Sequence, residues 1–428
     1  MPLRGLARGT ATTGLAIVLS LAAASPALAA SPALASAKSA ARATAKPTSK
    51  AKAKTKAKPP ARPAAIVEPL PDPVQGCLGE HGSPAPKGIP WPQQTLDYQS
   101  VWPFTQGGGV TVAVIDSGVD ANPQFGHRVL VGPTLVRAQS GPANGDCTGH
   151  GTSVAGIIAA APITGVSFAG VAPAAEVLSI KVTNTETGVA SSLLPEAITD
   201  AVAEGAKVIN LSLIAPDTSA LRDAVEAALS RNVVVVASAG NDTPDTGTGP
   251  FYPAAYPGVL SVGAVNSGGN LANFSDAKTP VSVTAPGVDI TSAFPGVYPD
   301  SYYAGQDGTS FATAFVSGVA ALVRSRYPRL SAAQVTSRIE ETADGAEGPG
   351  TGAGLVNPVQ AVTAVLPAGS GTARTTAGLG RVSIIKAAPD GGEMTVAMTV
   401  TAGAFGVAVL VIAAAIVVPA GRRRRWRP

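Results

Sequence analysis

The chain has 428 residues, of which 45% are hydrophobic and only 4% aromatic, with 48 glycines and 37 prolines. That is material for one large core crossed by many turns, and it argues against a long helical bundle. The net charge of +4 hides a segregation: residues 66–367 carry 12 Lys and Arg against 25 Asp and Glu, a balance of −13. Such an acidic middle lacks the clustered basic face that nucleic acid requires, so no nucleic-acid partner is expected.

In chain order, residues 1–29 read as a secretory signal peptide. Arg4 and Arg8 precede the apolar run Leu15–Ala24, and Ala27-Leu28-Ala29 offers a small-residue cleavage site. The apolar run is too short for a retained anchor. Residues 30–65 form an Ala/Lys/Pro tract that buries too little apolar surface to offset ordering entropy, and a disordered linker is expected. Residues 66–108 are expected to be an extension packing on the domain that follows.

Within 109–366, the runs Val110–Ile115, Glu176–Val182, Val208–Leu213, Val233–Ala237 and Leu260–Val265 read as buried strands. Helix candidates fall between them, including Leu193–Glu204 and Ser219–Ser230. This alternation predicts an α/β fold with a parallel sheet covered on both faces. Glycosidase-type folds alternate in the same way, so the pattern by itself goes no further. A second linker is expected over 367–393.

Residues 394–418 are expected to form a transmembrane helix. The uncharged stretch Thr395–Val418 would extend roughly 36 Å as a helix, enough for a bilayer core. Residues 419–428 hold Arg422, Arg423, Arg424, Arg425 and Arg427, a basic cytoplasmic tail after a stop-transfer segment. Leader and anchor together predict a single-pass protein of the cell membrane with its domain outside. The two cysteines, Cys77 and Cys147, then meet an oxidising compartment and are expected to form a disulfide. With two cysteines and three scattered histidines, no metal site is expected.

Three segments carry chemistry. Val112-Ala-Val-Ile-Asp-Ser-Gly-Val-Asp120 ends a strand at Asp116, where ligand sites of parallel sheets gather. In Gly149-His-Gly-Thr-Ser-Val-Ala-Gly156, His150 opens a small-residue helix; in Asp307-Gly-Thr-Ser-Phe-Ala312, Ser310 stands at the start of another. Serine, histidine and aspartate suit nucleophilic acyl transfer: a base takes the hydroxyl proton, and a carboxylate fixes the imidazole tautomer. Asn241, in Ala237-Ser-Ala-Gly-Asn241, and the Ser310 backbone N–H are candidate oxyanion donors. This chemistry calls for no cofactor. Asp120 and Asp307 read as cap or turn residues, and His81 and His127 as solvated loop histidines.

The order Asp, His, Ser, with Val208-Ile-Asn-Leu-Ser-Leu213, the Ala-Gly-Asn turn and Gly352-Ala-Gly-Leu-Val-Asn-Pro358, resembles the subtilisin (subtilase) family of serine endopeptidases. The resemblance runs from about Gly109 to Val365. It implies a three-layer fold with a mostly parallel seven-stranded sheet between helices, a polypeptide substrate, and Ser212 and Leu213 at the substrate-binding edge. Pro90-Trp-Pro-Gln-Gln94 ahead of the domain, the cysteine in that extension and the C-terminal membrane helix are similar to the mycosins, membrane-anchored subtilases of actinobacterial type VII secretion systems. That implies a membrane secretion complex as partner and a structural role beside proteolysis. Ala314 stands where many subtilases have proline, and Ile214 where glycine often follows, which leaves substrate preference open. Two other readings stay open: a mainly structural subunit with an idle or occluded site, and cell-wall binding through the Lys/Ala tract.

Overall fold

The computed structural model describes residues 82–136, 145–185, 191–242, 250–296, 300–345 and 348–366. All lie within the second of the two units into which the chain divides, Pro63–Pro428. The expected leader, linkers, membrane helix and basic tail lie outside the described residues, as do Cys77 and His81. Among the described residues no helix is long and apolar enough to cross a membrane.

Apolar runs become strands where both faces are covered. After a short helix α1 (Trp91–Leu96), the chain forms β1 (Thr111–Asp116), β2 (Val129–Thr134), helix α2 (His150–Ala159) and β3 (Glu176–Lys181). It continues through α3 (Leu194–Ala203), β4 (Val208–Leu211), α4 (Ser219–Ser230), β5 (Val234–Ser238), β6 (Leu260–Val265) and β7 (Val283–Pro286). A hairpin of β8 (Ile290–Ala293) and β9 (Tyr302–Gln306) precedes α5 (Thr309–Arg326), α6 (Ala332–Glu341) and α7 (Pro358–Thr363).

Seven strands form one sheet in the order β2-β3-β1-β4-β5-β6-β7, every neighbouring pair parallel. β8 and β9 make a separate antiparallel pair. From β1 the chain moves outward to β2, steps back to β3, then crosses to β4 on the other side of β1. The direction of winding reverses there, and the carboxyl end of β1 opens at that switch point, where α/β sheets bind ligands.

The pleat sorts the core into two halves. Val112, Val114, Val208, Val234 and Val236 face the side covered by α2 and α5. Ala113, Ile115, Ile209, Val235 and Ala237 face the side covered by α3 and α4. Each fully buried Val, Ile or Leu contributes roughly 1.5–3 kcal/mol, so runs apolar at every position are stable only between two covered faces. Nine of the ten residues of α2 are buried and 15 of the 18 in α5, whereas α3 and α4 bury only four and three.

The segment ahead of β1 is tied to the domain through side chains. Trp91 Nε1 donates to Val288 O (3.0 Å), Gln93 Nε2 to Ser167 O (3.1 Å) and Tyr98 Oη to Ala169 O (2.7 Å). Ser83 pairs with Tyr302 of β9.

Most of the expected strand and helix bounds hold or shift by a single residue. β4 stops at Leu211, because Ser212 turns its polar groups toward the start of α5. β2 and β7 escaped the reading: Val129-Leu-Val-Gly-Pro-Thr134 is broken by Gly132 and Pro133, and the four-residue β7 closes on Pro286. Both are edge strands, where proline is tolerated.

Candidate active site

Asp116 is the last residue of β1 and is 3% exposed. Its Oδ1 accepts from the Ser117 N–H (2.8 Å), with Ser117 Oγ at 3.1 Å and His150 Nδ1 at 2.8 Å. A carboxylate only accepts, so the Nδ1 proton points at Asp116. With the proton on Nδ1, the neutral imidazole carries its lone pair on Nε2, the tautomer a general base needs.

His150 opens α2, and its position depends on the glycines that flank it. Gly149 has φ 79°, a left-handed conformation, and a Cβ there would lie 2.0 Å from the Phe294 ring. A Cβ on Gly151 would lie 2.1 Å from Gly118 O. The backbone around His150 is therefore pressed between the β8–β9 hairpin and the turn after β1. Phe311, next to Ser310, sets its ring 5.5 Å from the imidazole, centroid to centroid, which brings the start of α5 beside His150.

Beneath this turn lies Asp146, fully buried and not foreseen from the sequence. Its Oδ1 accepts from Ser117 Oγ (2.8 Å), Gly149 N (2.9 Å) and Thr148 N (3.1 Å). Its Oδ2 accepts from Thr152 N (2.8 Å) and Thr152 Oγ1 (2.7 Å). A carboxylate against the free N–H groups at a helix start is favoured by the helix dipole. Lys181, at the end of β3 and 2% exposed, donates to Gly145 O. Burial pushes its ammonium below the usual lysine range, and the charges of Asp146 and Asp120 oppose that shift. Half-buried Cys147 follows Asp146; its expected partner Cys77 lies outside the described residues.

Ser310 is the second residue of α5, in the first turn, where backbone N–H groups have no intrahelical acceptor. Its Oγ donates to Ser212 O (3.1 Å), and Ser212 Oγ donates back to Ser310 O (2.8 Å). Behind them, Ser317 Oγ donates to Asn210 Oδ1 (2.8 Å) and Asn210 Nδ2 to Ser212 Oγ (2.9 Å). This buried relay fixes the end of β4 to α5, so the Ser212 side chain is turned inward. Leu213 is half-buried, its carbonyl accepting from Ser238 Oγ (3.3 Å).

Asn241 follows β5. Its Oδ1 accepts from Thr309 N (3.0 Å) and Thr309 Oγ1 (2.8 Å), which orients the amide. Its Nδ2 is then on the side of Gly308, 3.6 Å from where a Cβ on that glycine would stand. A donor and the nucleophile candidate are thus held by adjacent residues of one helix start. Asp307 Oδ1 accepts from Asp289 N (2.8 Å), a turn contact, and His127 is exposed.

Four elements therefore bring Asp116, His150, Ser310 and Asn241 to one edge of the sheet. A family model for the subtilase family matches residues 107–373. The chain belongs to the subtilase family. Thermitase of Thermoactinomyces vulgaris is 38% identical over 63% of this subtilase and 94% of its own length. M-protease of Shouchella clausii (strain KSM-K16) is 40% identical over 59% of this chain, which spans 63% of that relative, under two thirds. A solved structure of MycP1, a serine protease and essential component of the type VII (ESX-1) secretion system, is also similar. It shares 32% identity with a TM-score of 0.59, covering 72% of this chain and 99% of that one.

The sequence reading missed Asp146, Ser117, Asn210 and Ser317. Asp146 lies three residues ahead of the N-cap Gly149, outside the position where a capping side chain is expected. The Asn210–Ser317 contact spans 107 residues and left no local trace.

Proposed function

We propose that this subtilase is a serine endopeptidase in which Ser310 is the nucleophile, His150 the general base and Asp116 the carboxylate that orients it. The observation that carries the reading is the 2.8 Å contact between buried Asp116 Oδ1 and His150 Nδ1, with the Ser310 end of α5 packed against the same imidazole through Phe311. As Ser310 Oγ leaves Ser212 O and bonds to the scissile carbonyl carbon, its proton passes to His150 Nε2. Asp116 stabilises the imidazolium that forms. The carbonyl oxygen takes the negative charge and accepts from Asn241 Nδ2 and Ser310 N–H, each such donor contributing about 3 kcal/mol. Collapse breaks the C–N bond while His150 returns the proton to the leaving amine. Water then repeats the sequence on the acyl ester. Ser212-Leu213, continuing β4, lies at the edge where an extended peptide would bind.

The proposal extends to the cell. Residues 1–29 direct export, 30–65 and 367–393 are linkers, and 66–108 precede the protease domain at 109–366. Residues 394–418 anchor it in the membrane, with the tail 419–428 inside. Cys77 pairs with Cys147, tying the extension to the loop that holds His150. Similarity to MycP1 supports association with a type VII secretion complex, and it also favours a second reading in which the chain serves that complex structurally. Hydrolysis of a denatured protein by the full chain in detergent separates the two. The first reading predicts cleavage that Ser310→Ala lowers by about 10⁶-fold, as for loss of the nucleophile in a triad of this type. A folded wild-type chain that cleaves nothing while its absence abolishes secretion supports the structural reading.

A further inference from the structure

The Ser117 hydroxyl stands between two buried carboxylates. It is 2.8 Å from Asp146 Oδ1 and 3.1 Å from Asp116 Oδ1, and it accepts from the Gly151 N–H at 3.0 Å. A hydroxyl has one proton, so it can donate fully to only one carboxylate. Geometry favours Asp146. Asp116 then keeps two donors, the Ser117 N–H and His150 Nδ1, and faces the negative end of the Ser117 dipole.

We infer that Asp146 is a positioning residue for His150, acting by two routes that both rest on the activity proposed above. Through Gly149 N, Thr148 N and Thr152 N it fixes the backbone on either side of the imidazole. Through Ser117 it withholds a hydrogen bond from Asp116, which leaves that carboxylate a stronger partner for the imidazolium. The Asp146 charge favours the imidazolium as well, so both electrostatic effects raise the basicity of His150.

Among the described residues, the elements packed against His150 supply these charged groups. β1 contributes Asp116, the turn after it Asp120, the loop before α2 Asp146, and β3 Lys181. From α5 come the uncharged Phe311 ring and Ser310, and from β8 and the residue after it only Phe294 and small side chains. Lys181 is the one cation in this set, and Asp146 is one of the two carboxylates whose charge acts on it. Removing the Asp146 charge makes the surroundings of His150 more positive, which disfavours the imidazolium.

The test is the pH dependence of fluorophosphonate labelling of the full chain in detergent, beside steady-state peptide hydrolysis, for wild type, Asp146→Asn, Asp146→Glu and Ser117→Ala. Asp146→Asn keeps the size and removes the charge. Its acid-limb midpoint, which reports His150 in the free enzyme, is expected to fall by about half a pH unit to one unit. The plateau kcat should drop about 10- to 100-fold, less than the ~10⁴ lost when the orienting aspartate itself is neutralised, with KM changed less than about threefold. Asp146→Glu restores the charge and should bring the midpoint back toward wild type even where kcat stays low. In Ser117→Ala the Asp146 charge stays and Asp116 still receives no hydroxyl proton, so its midpoint should stay close to wild type. Should the Asn variant fail to fold, Asp146→Ser, which also removes the charge, carries the test with a shift in the same direction. A midpoint within about 0.2 unit of wild type in the folded variant that lacks the Asp146 charge overturns the inference, even if its rate falls. A wild type that labels at no pH sinks the proposed activity instead. In that case the NMR titration of His150 in the same variants still decides the inference by the same shift.

Discussion

The two faces of the sheet are built on different terms. On one, α2 and α5 are buried on nearly every side and carry His150 and Ser310 at their first turns. On the other, α3 and α4 show water one face each, and neither supplies a candidate site residue. The first pair has little amphipathic pattern, and its place is set by close contacts: Gly151 on Gly118 O, Gly318 on Val171, Phe311 on the imidazole. The second pair is held by an apolar stripe on each helix, and α4 also by its cap Thr218, whose side chain accepts from Leu221 N at 3.2 Å. The candidate residues His150 and Ser310 thus stand on the closely packed pair; the other face supports the sheet.

Substitutions on the two faces should therefore separate activity from stability. The largest effect is expected from Gly151→Ala, whose Cβ has no room beside Gly118 O and 3.2 Å from Asp116 Oδ1. Overpacking there should cost about 1–3 kcal/mol and displace His150, so that kcat falls by orders of magnitude more than the folded fraction does. A variant with near-normal kcat would break the contrast. Leu221→Ala on α4 removes a fully buried side chain and should lower unfolding free energy by about 2–5 kcal/mol, read by urea denaturation, with kcat per folded molecule unchanged. Thr218→Ala should cost about 1 kcal/mol by loss of the α4 cap, again without touching kcat.

The smallest effect is a pH dependence on the same side. Burial, with the hydrogen bond to Asp217, pushes the Tyr256 phenol up to about 12, against about 10 in an unfolded chain. Because the folded value is the higher one, its contribution is complete below pH 10 and lost as pH rises through 12. Unfolding curves across that window should fall less steeply for Tyr256→Phe than for wild type. Equal slopes would contradict the assignment.

What could be read from the sequence follows the same division. β1, β3, β5 and β6 announced themselves as short runs dominated by apolar, β-branched residues because both of their faces are covered. α3 and α4 were legible from their spacing. Asp116, His150 and Ser310 were legible as short motifs, since each needs a fixed local backbone: a strand end or a helix start, with glycine where no Cβ fits. Asp146, Asn210 and Ser317 act through space between distant segments, and a polar residue inside an apolar stretch does not say which partner it will find. The hairpin β8–β9, which packs Phe294 onto Gly149, is short and partly polar and gave no periodic signal.

The proposed mechanism makes Ser310 the activated nucleophile of this site. The most direct measurement is mass-spectrometric mapping of the residue phosphonylated when the full chain is treated with a fluorophosphonate, with His150→Ala beside it. One modified residue, Ser310, is expected, with a large loss of labelling rate in the His150 variant. Labelling at another residue, no labelling of a folded wild type, or labelling of Ser310 at the same rate without His150 would contradict that mechanism.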